Sequence, residues 1–132
     1  MSLTRLRPDL IRAYTASSYR AGSVRFGIGR HSPETDALLE TLGARQAVLL
    51  TAWNPRSTPM PHAWNLRADS TLRERLRGHV LLDGAGGKGR HEEAQILAVL
   101  PVARAQVLAR RFRQNAVVVL QRGRPARLVL LR

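Results

Sequence analysis

From Gln46 onward the chain switches between two apolar periodicities in a fixed order, and that order restricts the fold more than any other feature. Residues 46–53 carry the run Ala47-Val48-Leu49-Leu50, which reads as a strand buried on both faces. Trp64, Ala68, Leu72 and Leu76 recur every four residues, the stripe of a helix that Gly78 closes. Residues 79–82 read as a short strand, residues 84–90 as a mobile glycine loop, and residues 94–100 as a further strand. Pro101 opens a helix whose inner face is Ala105, Leu108, Ala109 and Phe112. Residues 115–121 and 126–131 then pair as a hairpin around Arg122-Gly123-Arg124-Pro125.

Strand, helix, strand, strand, helix, strand is the ferredoxin-like plan. Ahead of it, Leu6, Leu10, Tyr14 and Ser18 mark a helix over residues 7–18, and residues 23–28 alternate as a strand. Ser32 caps the next helix, Pro33 fits its first turn, Glu34 and Asp36 suit its positive end, and Gly43 stops it. The expectation is one α+β domain over residues 1–132. It has a mixed sheet with a ferredoxin-like βαββαβ core, an N-terminal α-β-α extension and a C-terminal hairpin strand, with the helices on one face. A three-layer α/β sandwich is the alternative.

Charge and composition narrow the function. The 22 basic side chains against 9 acidic ones leave +13, and after Asn65 the balance is 14 basic to 5 acidic. Lys88 is the only lysine, so the positive charge is almost wholly arginine, whose planar fork matches phosphate oxygens. Arg104, Arg111 and Arg113 on the last helix, with Arg122, Arg124 and Arg127 from the hairpin, suggest a basic ridge for nucleic-acid backbones. The plain reading is a solvated surface, since aromatic rings for base stacking make up only 5% of the chain. The absence of cysteine excludes disulfides, thiolate metal sites and cysteine nucleophiles. No apolar run approaches the roughly 20 residues of a membrane span, and residues 1–9 lack a secretion signal, so a cytoplasmic protein is expected.

Strand direction turns the polar residues into a geometric expectation. In the ferredoxin-like plan, Thr51, Asn54, Asn65, Glu93, Gln114 and Asn115 all fall at one end of the sheet. With Trp53, Arg67 and Arg110, and with Arg25 if the first strand reaches that far, they define a polar cleft for a small anionic metabolite or nucleotide. Each also has a structural reading. Asn54 before Pro55 can hold a turn, Asn65 can cap a helix, and Gln114-Asn115 can satisfy carbonyls at a helix end. Glu93 is the candidate general base if the chain is an enzyme, and otherwise an ion-pair anchor.

The same residues carry a resemblance. Thr51-Ala52-Trp53-Asn54-Pro55, then Asn65, Arg67 and Glu93, then Arg110-Arg111-Phe112-Arg113-Gln114-Asn115-Ala116, resemble the bacterial domain of unknown function 3293 family. Residues 10–16 and Phe26-Gly27-Ile28-Gly29 fit the opening of that family. Two positions depart from its pattern: Gln95 stands where a serine is common, and Arg113 stands where a glycine precedes Gln-Asn. The resemblance implies a small soluble bacterial protein and no assigned activity.

Other motifs fail. The 84–90 glycine segment lacks Walker spacing, because Leu82 stands five positions before Gly87 and Gly89 occupies the hydroxyl position. No helix opens directly after it, so a dinucleotide fingerprint fails too. His91-Glu92-Glu93 lacks a second histidine four residues on, and His31, His62 and His79 are scattered, so no metal and no cofactor is expected. No serine elbow is present.

Overall fold

The structure, a computed structural model, describes residues 6–131. In chain order its elements are α1 (Pro8–Ala16), β1 (Ser18–Ala21), β2 (Val24–Gly27), α2 (Pro33–Thr41) and β3 (Gln46–Leu50). A 3-10 turn (Pro55–Ser57) leads to α3 (His62–Arg75), β4 (Leu81–Lys88), β5 (His91–Ala98), α4 (Val102–Arg111), β6 (Ala116–Gln121) and β7 (Arg127–Leu130). The strands form one curled sheet in the order β2-β1-β4-β5-β3-β6-β7, with antiparallel ladders throughout. The expected mixed sheet is therefore corrected to an antiparallel one. A single parallel bridge, Ile28 to Ala126, joins the two rims of the curl, with Gly29 N donating to Ala126 O at 2.7 Å.

Alternation along the strands builds a core on each face. Val48 and Leu50 of β3 pack with Leu72 and Leu76 of α3 and with Ala105 and Ala109 of α4. Ala47 and Leu49 pack on the other face with Tyr19, Phe26, Leu97, Val118 and Leu120, and with Leu39 of α2. Helices thus cover both faces, not one, because β3 is apolar at every position from Ala47 to Leu50 and needs cover on each side.

The amino-terminal segment is α-β-β-α: residues 18–21, which fall between the helix expected over 7–18 and the strand expected over 23–28 with Ser18 shared, form an extra strand, β1. The larger correction concerns the glycines. Residues 84–88 are strand, not loop, and β4 pairs along its whole length with β5 and, at Gly84 to Gly87, with β1. Close approach explains the composition: a Cβ on Gly84 would sit 2.3 Å from Arg20 O, and one on Gly86 only 2.8 Å from Tyr19 Cδ1. The chain reverses at Gly89, with φ at +62°.

Helix ends follow local chemistry. Ser32 Oγ accepts from Thr35 N at 3.2 Å, capping α2. At the far end Gly43 has φ +68°, and Ala44 N donates to Leu39 O at 2.9 Å, a Schellman closure. The end of α4 repeats that geometry, with Gln114 N donating to Ala109 O at 3.1 Å. The left-handed position there is Arg113, at φ +55°. Glycine is the residue such a left-handed position favours. No helix among the described residues is long and apolar enough to cross a membrane.

Candidate functional site

The loop after β3, the start of α3, the middle of β5 and the start of β6 meet at one end of the sheet. Thr51 Oγ1 donates to Ala94 O at 2.7 Å and accepts from Trp53 N at 3.0 Å, locking the exit of β3 to β5. Asn54 takes the left-handed conformation, φ 44°, at the corner. Its Oδ1 accepts from Met60 N and from Asn65 Nδ2, both at 2.9 Å, and its Nδ2 donates to Glu93 Oε1 at 2.8 Å. Asn65, only 2% exposed, accepts in turn from Asn54 N at its Oδ1, at 3.0 Å. Gln114 Nε2 donates to Trp53 O at 3.1 Å and to Phe112 O at 3.2 Å. Asn115 Nδ2 donates to Tyr14 Oη at 3.0 Å and to Ser57 Oγ at 3.2 Å.

These residues meet, but the amides of Asn54, Asn65 and Gln114 are largely engaged by the protein itself. Asn65 lies one turn inside α3 and fastens the 54–60 loop; it does not cap the helix. Gln114 closes the end of α4. Trp53 stacks edge-on against His62, with ring centroids 5.6 Å apart, and its Nε1 is buried without an acceptor among the described residues.

Beside this network, between α1 and the sheet face that carries Leu49 and Val118, lies a cavity of about 230 Å³. Thr51, Asn54, Glu93, Gln114 and Asn115 reach its wall, as do Tyr14, Tyr19, Ser57, Lys88, His91 and Gln95. Trp53, Asn65, Arg67 and Arg110 do not line it. Arg67 and Arg110 are exposed on α3 and α4, and Arg25 lies on β2, 3.9 Å from Glu92. The guanidinium partners expected for an anion are therefore absent from the cavity, and Lys88 and His91 stand nearest that role.

Position on β5 explains the second set. His91, Glu93 and Gln95 alternate onto one face, at steps of about 7 Å, and Lys88 pairs with His91 across the hairpin. Glu93 Oε2, the Gln95 amide, the Lys88 ammonium and the His91 ring have no hydrogen-bond or ion-pair partner among the described residues. Burial pushes the Glu93 carboxyl above its ordinary range, and the Asn54 amide bond partly offsets that. The Tyr19 hydroxyl, pushed up to about 12 by burial, donates to Tyr14 O at 2.6 Å and ties α1 over the cavity. Tyr14 Oη also meets Ser57 Oγ.

The expected arginine ridge is divided. Arg104 and Arg111 flank a groove on the α3–α4 side with Arg75 and His79. Arg122, at the end of β6, folds its Nε onto Ala44 O at 2.8 Å, beside α2 on the opposite face. Arg124 and Arg127 line an opening between β7 and α1, and Arg113 sits at the end of α4. These side chains sit on separate openings and faces, so they do not form one stripe.

A small antiparallel α+β protein with a cavity of mixed polar and apolar lining under its first helix is the class these features define. Residues 50–117 match the family described as Protein of unknown function (DUF3293), and the chain belongs to that family. The matched segment runs from the end of β3 to the start of β6 and so contains the whole hydrogen-bonded network around Asn54. No curated protein and no solved structure matches the chain.

Proposed function

We propose that the chain binds a small anionic metabolite bearing a hydroxyl or amino group in the cavity beneath α1. The observation that carries this reading is the set of available groups along one wall. Glu93 Oε2 accepts the ligand's donor, Gln95 offers both a donor and an acceptor, and Lys88 with His91 receives its acidic end. Asn54, Thr51, Asn65 and Gln114 act as the frame that holds Glu93 in place. A volume of about 230 Å³ favours a metabolite over a nucleotide, since pockets for larger ligands run to roughly 300–1,000 Å³.

The strand order β4-β5-β3-β6, with α3 and α4 on one face, also supports reading the central part as a ferredoxin-like core. Nucleic-acid binding through all six C-terminal arginines is the weaker reading, because Arg104 and Arg111 line the α3–α4 groove while Arg124 and Arg127 line a different opening.

The test is a thermal-shift screen over small hydroxy acids, amino acids and phosphorylated metabolites, followed by calorimetric titration of any hit. Binding to the parent chain that weakens at least about tenfold in Lys88→Ala and in Gln95→Ala supports the reading. A hit that binds both variants as tightly as the parent, or no hit across the panel, rejects it.

A further inference from the structure

The groove between α3 and α4 lies on the far side of the sheet from the cavity and plays no part in the proposed binding. Arg104, Val107, Leu108 and Arg111 stand at positions i, i+3, i+4 and i+7 of α4, one face of the helix with an aliphatic pair between two guanidinium groups. Across from them are Arg75, at the end of α3, and His79, with Leu76 and Leu100 as the floor. Val107 is 53% exposed, more than any other large apolar side chain described.

The distribution of acids leaves this groove bare. Arg73 on α3 bonds Asp69 and Asp83 at 2.8 Å each, and Arg77 pairs with Glu74. Arg75, between them in sequence, has no acidic partner among the described residues, and neither do Arg104 and Arg111. No aspartate or glutamate lines the groove. No Phe, Tyr or Trp lines it either, and His79 is its single ring, which is a poor stacking platform for successive bases.

We propose that this groove docks an acidic amphipathic helix of a partner protein. The complementary pattern is Glu-x-x-Leu-Leu-x-x-Glu. Its two aliphatic residues cover Val107 and Leu108, and its two carboxylates, about 10.5 Å apart along the helix, meet Arg104 and Arg111. Arg75 engages a third acid on the partner's flank. Charge complementarity sets the encounter and orientation, and burial of the aliphatic pair holds the complex.

The test is fluorescence anisotropy with a short labelled peptide carrying Glu-x-x-Leu-Leu-x-x-Glu on one helical face. Saturable binding is expected for the parent chain, weakened at least about tenfold by Arg104→Glu with Arg111→Glu, and separately by Val107→Glu. All three positions are exposed, and circular dichroism checks that each variant folds. Absence of saturable binding overturns the proposal, as does an equal loss in Arg12→Glu with Arg45→Glu, which carries the same charge change as the double variant elsewhere on the surface. A labelled duplex that binds through Arg104 and Arg111 when the peptide does not overturns it in favour of nucleic acid. A concentration-dependent dimer that the double variant abolishes overturns it in favour of a second copy of the chain.

Discussion

Replacing Asn54 with alanine tests whether the polar network is a frame or a binding surface. The side chain holds three partners: Met60 N, Asn65 Nδ2 and Glu93 Oε1. Losing the two neutral bonds costs about 1 kcal/mol each, and losing the bond to an ionised carboxylate about 1.5–3 kcal/mol. Alanine also fits the left-handed backbone at φ 44° poorly, adding about 1 kcal/mol. The expected loss is about 4.5–6 kcal/mol, or roughly 15–30 °C in melting temperature for a chain of this size. Urea unfolding followed by the fluorescence of Trp53 and Trp64 measures it. Asn54→Gly removes the same bonds but fits the backbone, so it should recover about 1 kcal/mol of the loss. A stability within about 1 kcal/mol of the parent for Asn54→Ala would refute the reasoning and return Asn54 to the list of ligand contacts.

Three further outcomes follow from the same geometry. Glu93 has a raised pKa when folded, so the folded chain binds that proton more tightly, and stability falls as pH rises from the ordinary carboxylate value through the raised one. Glu93→Gln keeps an acceptor for Asn54, so it should flatten that fall and raise the melting temperature at pH 7 while weakening any cavity ligand; an unchanged pH profile refutes this. Asp36 behaves oppositely. The Gly123 amide, 3.0 Å from its Oδ1, and then His31 hold its carboxyl below the usual range. Acid should therefore release the β6–β7 turn from α2 as pH drops below the ordinary aspartate value. Amide exchange at Gly123 that accelerates there in the parent but not in Asp36→Asn checks it. Finally, Arg113→Gly should stabilise the chain by up to about 1 kcal/mol by relieving the left-handed arginine, and a lower urea midpoint would contradict that.

The amino-acid sequence alone determined those elements whose signals are local. Ser32, Pro33 and Gly43 bracket α2 within two residues of its observed ends, because capping and the left-handed stop depend only on neighbouring backbone. The run 47–50 marks β3 as central, and the order of periodicities puts Thr51, Asn54, Asn65, Glu93, Gln114 and Asn115 at one end of the sheet. Tertiary structure alone decided the rest. Residues 84–88 have no side chains that favour a strand; they pair because Tyr19 and the Arg20 carbonyl press against them, and those partners lie over sixty residues away. The same packing brings α1 over the sheet and makes a cavity of Tyr14, Lys88, His91 and Gln95, residues from three separate elements. It also decides which polar atoms are engaged: Asn54 and Gln114 look like ligand contacts as residue types, yet their bonds close on the protein, while Glu93 Oε2 stays open. Hydrogen-bond satisfaction depends on positions within a few ångströms in space, and that is information the order of residues carries only once the chain has folded.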